Sequence, residues 1–223
     1  MTASQNHIDS SNVGSEAVVV TGASRGIGAA IACELARRGF RVGCFSRGGR
    51  LPETAGDLAS RMISVPCEVT DEHAIVAGLK RFAEQAGRID GLVNNAGIHS
   101  AAPSRKVTSA EFEHMLKVNA VSTFAFCREV YPYLVAQGGG LIVNIGSFFA
   151  RGGARGSTAY SASKAAIGAI TRCLAAEWGP KNIRLLNIAP GYIETDVNRD
   201  YLSDPVQRAR VCERTFVNRP GRP

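Results

Sequence analysis

The sequence predicts an α/β fold: a three-layer, doubly wound parallel sheet with helices on both faces. Three observations carry that reading. Short apolar runs rich in β-branched residues alternate with longer helical patterns. The runs are continuously apolar, as suits parallel strands covered on both sides. Residues of functional type also gather just after the run ends, where such sheets bind ligands.

Taken in order, the strands are expected at Ala17–Thr21, Arg41–Ser46, Met62–Pro66, Gly91–Asn94, Gly140–Ser147 and Ile183–Ala189. Helical patterns fill Gly26–Arg38, Asp71–Ala86, Ser109–Ala136 (in one or two pieces) and Ala159–Trp178. Thr108 and Glu111 are spaced as a capping box at the start of the third. Gly39, Gly87 and the glycines from 138 to 140 stand where helices should stop.

The chain has 223 residues, 45% apolar and 20% charged, enough for a large core. Disordered and low-complexity architectures are excluded. No apolar run approaches the roughly 20 residues of a membrane-spanning helix. Met1–Asn12 is polar, with neither a basic nor an apolar signal region. The expectation is a polar leader over 1–15, then one domain over 16–223, in a cytoplasmic protein with no membrane partner.

The formal charge is +7. Five arginines fall between Arg37 and Arg50 with no acid, and six between Arg199 and Arg222 against three acids. Few aromatics are interleaved and no nucleic-acid-binding signature is present, so a nucleic-acid partner is not expected. The six cysteines are scattered without a C-x-x-C pair and read as reduced, mostly buried thiols. The four histidines lack ligand spacing, so no metal site is expected.

After the first strand comes Thr21-Gly22-Ala23-Ser24-Arg25-Gly26-Ile27-Gly28. Its glycines permit a tight turn, and the following helix offers free N–H groups and a positive dipole end to a pyrophosphate. The second strand ends Ser46-Arg47, with a serine where NAD-binding sheets place an acid. Arg47, with Arg25 in the glycine loop, suits a 2′-phosphate. NADP(H) is therefore the expected cofactor, with NAD the weaker alternative.

Tyr160 and Lys164 are four residues apart on a helical pattern, so they share a face. A fixed ammonium, joined by the positive nicotinamide of the oxidised cofactor, stabilises the phenolate and moves the phenol toward useful acid–base chemistry. Ser147, at a strand end, adds a hydroxyl to orient and polarise a carbonyl. Asn119 is a polar amide inside an apolar helical stretch, placed to hold something specific such as a water.

On these residues the chain resembles the short-chain dehydrogenases/reductases of the Tyr-x-x-x-Lys kind. The match runs through Thr21-Gly22, Gly26-Ile27-Gly28, Asn94-Asn95-Ala96-Gly97, Asn119, Ser147, Tyr160, Lys164 and Pro190-Gly191, over about residues 16–200. The resemblance implies a Rossmann domain acting on carbonyl or alcohol groups. Ser147 would hold the substrate oxygen and Tyr160 would give or take the proton. Lys164 would bind the nicotinamide ribose and tune Tyr160, and Asn119 would anchor a relay water. The implied cofactor-binding residues are Gly22, Ser24, Arg25, Gly26, Ile27, Gly28, Ser46, Arg47, Glu68, Val69, Asn95, Ala96, Gly97, Tyr160, Lys164, Pro190, Gly191, Ile193 and Thr195. Among them, Pro190 to Thr195 would pack on the nicotinamide.

Two departures stand out. Glu68 replaces the family's usual aspartate, and the chain stops after Arg222-Pro223 where the family continues with a final helix and a seventh strand. The expectation is a C-terminally truncated domain that forms a homo-oligomer, a dimer or a tetramer. The pattern is most similar to 3-oxoacyl-[acyl-carrier-protein] reductases, and nearly as similar to gluconate-type sugar-acid dehydrogenases. A basic rim suits an acyl-thioester substrate or an acyl carrier protein, and equally a small sugar acid. A non-catalytic NADP-binding sensor is the rival from another class.

Overall fold

The computed structural model describes residues 16–196 and 198–223. The expected leader, 1–15, lies outside the described residues. Six strands, β1 (Ala17–Thr21), β2 (Arg41–Ser46), β3 (Met62–Pro66), β4 (Gly91–Asn94), β5 (Gly140–Ile145) and β6 (Ile183–Ile188), form one sheet. Its order is β3-β2-β1-β4-β5-β6 and every pairing is parallel. That order reverses between β1 and β4, which opens a crevice beyond their carboxyl ends.

Helices α1 (Gly26–Arg37), α2 (Glu72–Ala86), α3 (Ser109–Leu116), α4 (Ser122–Ala136) and α5 (Thr158–Trp178) supply the crossovers. On one face α2, α4 and α5 bury Ile75, Leu79, Phe82, Phe126, Val130, Leu134 and Leu174 against Val19, Phe45, Leu92 and Ile142. On the other, α1 sets Ala32, Cys33 and Ala36 against Val18, Val20, Val42 and Cys44. The small residues of α1 let its backbone lie close to the sheet, which brings its first turn directly over the crevice.

The helix boundaries follow local chemistry. Asp71 caps α2 by accepting from the N–H groups of His73 and Ala74, and Gly87 ends it at φ 81°, left-handed. The Thr108–Glu111 capping box is present. The stretch predicted as one or two helices is two, joined by a π-helical turn over Lys117–Val121.

Three expectations need correction. β5 is shorter than predicted, because Ser147 turns away as the cap of a short 3₁₀ turn, Phe148–Ala150, and β6 ends one residue early at Ile188. β6 is not covered on both faces: Ile183 and Leu185 are buried, but Leu186 and Ile188 are 53% and 51% exposed. Two short helices, α6 (Arg199–Ser203) and α7 (Pro205–Glu213), lie where only a basic tail was expected. The missed signal for α7 was Asp204-Pro205, a cap followed by a proline at the first helical position. Four of the six thiols are buried, while Cys173 is exposed and Cys212 partly so.

Candidate active site

The glycine loop after β1 is stitched to the loop after β4. Thr21 Oγ1 accepts from the N–H groups of Asn95 and Ala96, both at 3.0 Å. Asn95 Nδ2 donates in turn to the carbonyls of Thr21 (3.0 Å) and Gly22 (3.2 Å). These contacts leave no room for side chains. A Cβ at Gly22, where φ is +66°, would lie 2.9 Å from Ala96 Cα, and one at Gly28 would overlap the Gly22 carbonyl and the Asn95 amide. Above them α1 begins at Arg25 with no side-chain cap. Its first N–H groups and dipole are thus left for an anion. A dinucleotide pyrophosphate fits that cradle.

At the end of β2 the hydroxyl of buried Ser46 accepts from the Arg50 N–H at 3.1 Å, closing a turn. Arg47 and Arg25 are exposed, and neither pairs with a described carboxylate. Glu68 is occupied locally: its carboxylate accepts from Thr70 N (3.2 Å) and Thr70 Oγ1 (3.0 Å). Thr195 lies over the glycine turn, since a Cβ at Gly26 would meet its side chain at 3.6 Å. Asn198 braces this segment, accepting from Thr195 N at 2.8 Å and donating to the Ile193 carbonyl at 2.8 Å. Phe148 N donates to the Pro190 carbonyl at 3.1 Å, which joins the loops after β5 and β6. Residues 192–194 also run beside Gly221, through Gly221 N to Tyr192 O and Glu194 N to Gly221 O.

The predicted catalytic residues converge beside this cradle. Ser147, 5% exposed, faces the phenol of Tyr160. Burial pushes the Tyr160 phenol above its usual value, and the hydrogen bond with Ser147 opposes that rise. The Lys164 ammonium donates to the Ile145 carbonyl at 2.8 Å and lies 5.9 Å from the centre of the Tyr160 ring. Burial lowers its pKa to about 8. The expected downward shift of the phenol invoked the lysine charge together with that of an oxidised nicotinamide, and burial leads among the protein's own groups.

Asn119 is fully buried in the π-turn. Its amide brackets Ile98, accepting from Ile98 N at 2.8 Å and donating to Ile98 O at 3.0 Å, and it also donates to Ser163 Oγ at 2.9 Å. Thr123 Oγ1 donates to its main-chain carbonyl at 2.8 Å. Asn119 thereby fixes the loop after β4 against α5. Gly97 must stay bare, because a Cβ there would sit 3.0 Å from Asn119 Oδ1 and 3.6 Å from Lys164 Nζ.

Sequence reading missed an aromatic group around Tyr160. His99 packs edge-on against its ring, with centroids 4.6 Å apart and planes at 85°. Phe149 does so at 6.2 Å, and it packs in turn on Phe148 (4.2 Å) and Tyr192 (6.0 Å). The expected basic tail is also partly engaged: Arg208 pairs with Glu194 at 3.1 Å, Arg199 with Asp196, and Arg214 approaches the Tyr192 hydroxyl at 3.4 Å. Arg105, Arg151 and Arg155 remain exposed and pair with no described carboxylate. Among the described residues no cluster of metal-ligand type occurs, and no helix is long and apolar enough to cross a membrane.

Comparison with known proteins agrees with this geometry. The family model described as short chain dehydrogenase matches residues 16–205. Carbonyl reductase family member 4 of Xenopus laevis is 34% identical over 194 residues, 87% of this chain and 82% of that protein. The 3-oxoacyl-[acyl-carrier-protein] reductase of Homo sapiens is 32% identical over 190 residues, 85% of this chain and 80% of that one. A Beutenbergia cavernae protein described as an NAD(P)-dependent gluconate 5-dehydrogenase was solved with NADP bound at low occupancy. It superposes with a TM-score of 0.86 at 32% identity, covering 93% of this chain and 84% of its own. The crevice at the sheet's switch point therefore has its counterpart in known enzymes, and the chain belongs to the short-chain dehydrogenases, oxidoreductases that act on alcohol and carbonyl groups.

Proposed function

We propose that the chain uses NADPH to reduce the keto group of a 3-oxoacyl thioester. The carrying observation is the convergence of Ser147, Tyr160 and Lys164 beside an uncapped, glycine-lined helix start. Gly22, Gly26, Ile27 and Gly28 would hold the pyrophosphate, and Arg25 and Arg47 the 2′-phosphate. The bound nicotinamide would supply the hydride, the chemistry no side chain here possesses.

The chain's own residues do the rest. The Ser147 hydroxyl orients and polarises the substrate carbonyl. Tyr160 delivers a proton from its phenol oxygen to the developing alkoxide. Burial raises the phenol above its ordinary value, so at neutral pH it stands in the proton-donor form. Lys164, with a pKa of about 8, stays charged at neutral pH and steadies the phenolate that results. Asn119 holds the Ile98 backbone, and with it the loop after β4, beside the site.

The apolar rings of Phe148, Phe149 and Tyr192 suit an acyl chain better than a polyol. Exposed Arg105, Arg151 and Arg155 suit the phosphate of a pantetheine arm or an acidic carrier protein, in a cytoplasmic homo-oligomer. Those same arginines support the second reading, a gluconate-type dehydrogenase binding a carboxylate. A sensor that only binds NADP has no use for the buried Ser147–Tyr160–Lys164 group.

The deciding experiment follows NADPH consumption with acetoacetyl thioester, 5-ketogluconate and simple ketones. The expected result is preferential turnover of the thioester. Turnover of the ketogluconate alone would replace the proposal with the second reading, and silence with NADPH still bound would favour the sensor. In the same assay Arg47→Ala should cut the NADPH-over-NADH preference about tenfold, the worth of one charged hydrogen bond. An unchanged preference would remove Arg47 from the phosphate site.

A further inference from the structure

We infer that His99 recognises the second carbonyl of a 1,3-dicarbonyl substrate, so that the site selects 3-oxoacyl compounds over simple ketones. The inference rests on the proposed carbonyl reduction at Tyr160 and adds the group that reads the substrate's other end.

His99 lies in edge contact with the catalytic phenol's ring, 4.6 Å between centroids, so whatever binds at Ser147 and Tyr160 binds beside its imidazole. Its place is fixed rather than incidental. The residue before it, Ile98, is held through both its N–H and its carbonyl by the buried Asn119 amide. The imidazole itself makes no hydrogen bond to any described residue. Phe149 also packs on Tyr160, and in turn on Phe148 and Tyr192. A substrate at Tyr160 therefore meets a largely aromatic wall and one imidazole. A 3-oxoacyl thioester has the matching shape: an apolar chain on one side of the keto carbon, and a carbonyl acceptor two bonds away on the other.

Though His99 is exposed, partial desolvation draws its pKa below the ordinary value, which leaves one N–H donor and one lone pair at neutral pH. Among the described residues no carboxylate is paired with it, and the Lys164 ammonium lies 5.9 Å from the centre of the Tyr160 ring. A neutral donor suits a carbonyl oxygen and does not compete with Tyr160 for a proton.

The test measures kcat and KM with NADPH for acetoacetyl thioester and for a monoketone of equal length, in the native protein, His99→Ala and His99→Asn. His99→Ala should raise KM for the thioester about tenfold more than it raises KM for the monoketone, the value of one hydrogen bond, with any change in kcat shared by both substrates. His99→Asn, which keeps a donor, should recover part of the loss. Equal effects on both substrates, or none, would overturn the inference, as would a native protein that reduces both equally well. That last outcome leaves the carbonyl-reductase reading standing. No turnover of either substrate, with NADPH bound, would end both.

Discussion

The two sides of the crevice are built by different means. On the cofactor side the backbone does the holding: glycines pressed against Ala96 and Asn95, an uncapped helix start, and a hydroxyl at Thr21 that joins two loops. On the substrate side side chains do it, through rings at His99, Phe149 and Tyr192 brought together from three separate loops. The first arrangement tolerates least at Gly22 and Gly28, where an added Cβ meets main chain. The second can be changed ring by ring without disturbing the sheet. A common cofactor with variable substrates follows from that division.

The sharpest way to break the comparison is to remove chemistry without removing either wall. Tyr160→Phe should lower kcat about 1000-fold, within the range for loss of a general acid, while NADPH binding measured by fluorescence titration stays near native. Comparable loss of binding would mean that Tyr160 belongs to the cofactor side. Next in size is Gly28→Ala. Its methyl group would overlap the Gly22 carbonyl, and overpacking strain of about 1–3 kcal/mol should weaken NADPH about 10- to 100-fold. Titration at native affinity would show that the loop is looser than its contacts imply.

The smallest effect sits where the two sides meet. Lys164 carries a charge at 5% exposure, with its pKa lowered from 10.5 to about 8. Below about 8 the folded and unfolded chains both keep that proton, and the folded chain bears the desolvation cost. Between about 8 and 10.5 the folded chain releases its proton first, so the contribution of Lys164 to stability rises with pH across that window. Lys164→Met should therefore raise stability at neutral pH by about 1–2 kcal/mol, after allowing for the orphaned Ile145 carbonyl. Turnover should fall sharply in the same variant. The stability gap should close as the pH climbs past 8. A variant less stable than native at neutral pH would show that the Ile145 hydrogen bond outweighs burial.

What could be read from the sequence divides along the same line. The glycine loop, the alternation of strands and helices and the Tyr160–Lys164 pair depend on local spacing, and spacing is visible in a string of letters. The aromatic group depends on where three loops end, and nothing periodic links residues 99, 149 and 192. Asn119 was singled out as an oddity inside an apolar helix, but its partners, Ile98 and Ser163, are set by packing between α4, α5 and the loop after β4. Glu68 was noticed as a departure, whereas its capture by Thr70 two residues on is a local preference that the wider pattern concealed. At β6, a continuous apolar run implied cover on both faces, yet Leu186 and Ile188 are half exposed.

The π-turn at Lys117–Val121 acts as a phase shifter along one continuous rod. One surplus residue turns everything after it by about 100°, the angular step of an α-helix. Asn119 can then answer to the crevice while Phe126, Val130 and Leu134, further along, answer to the core. A straight rod would have to sacrifice one allegiance, so the length of that short wider coil, more than the identity of its neighbours, sets which insertions and deletions this part of the chain can accept.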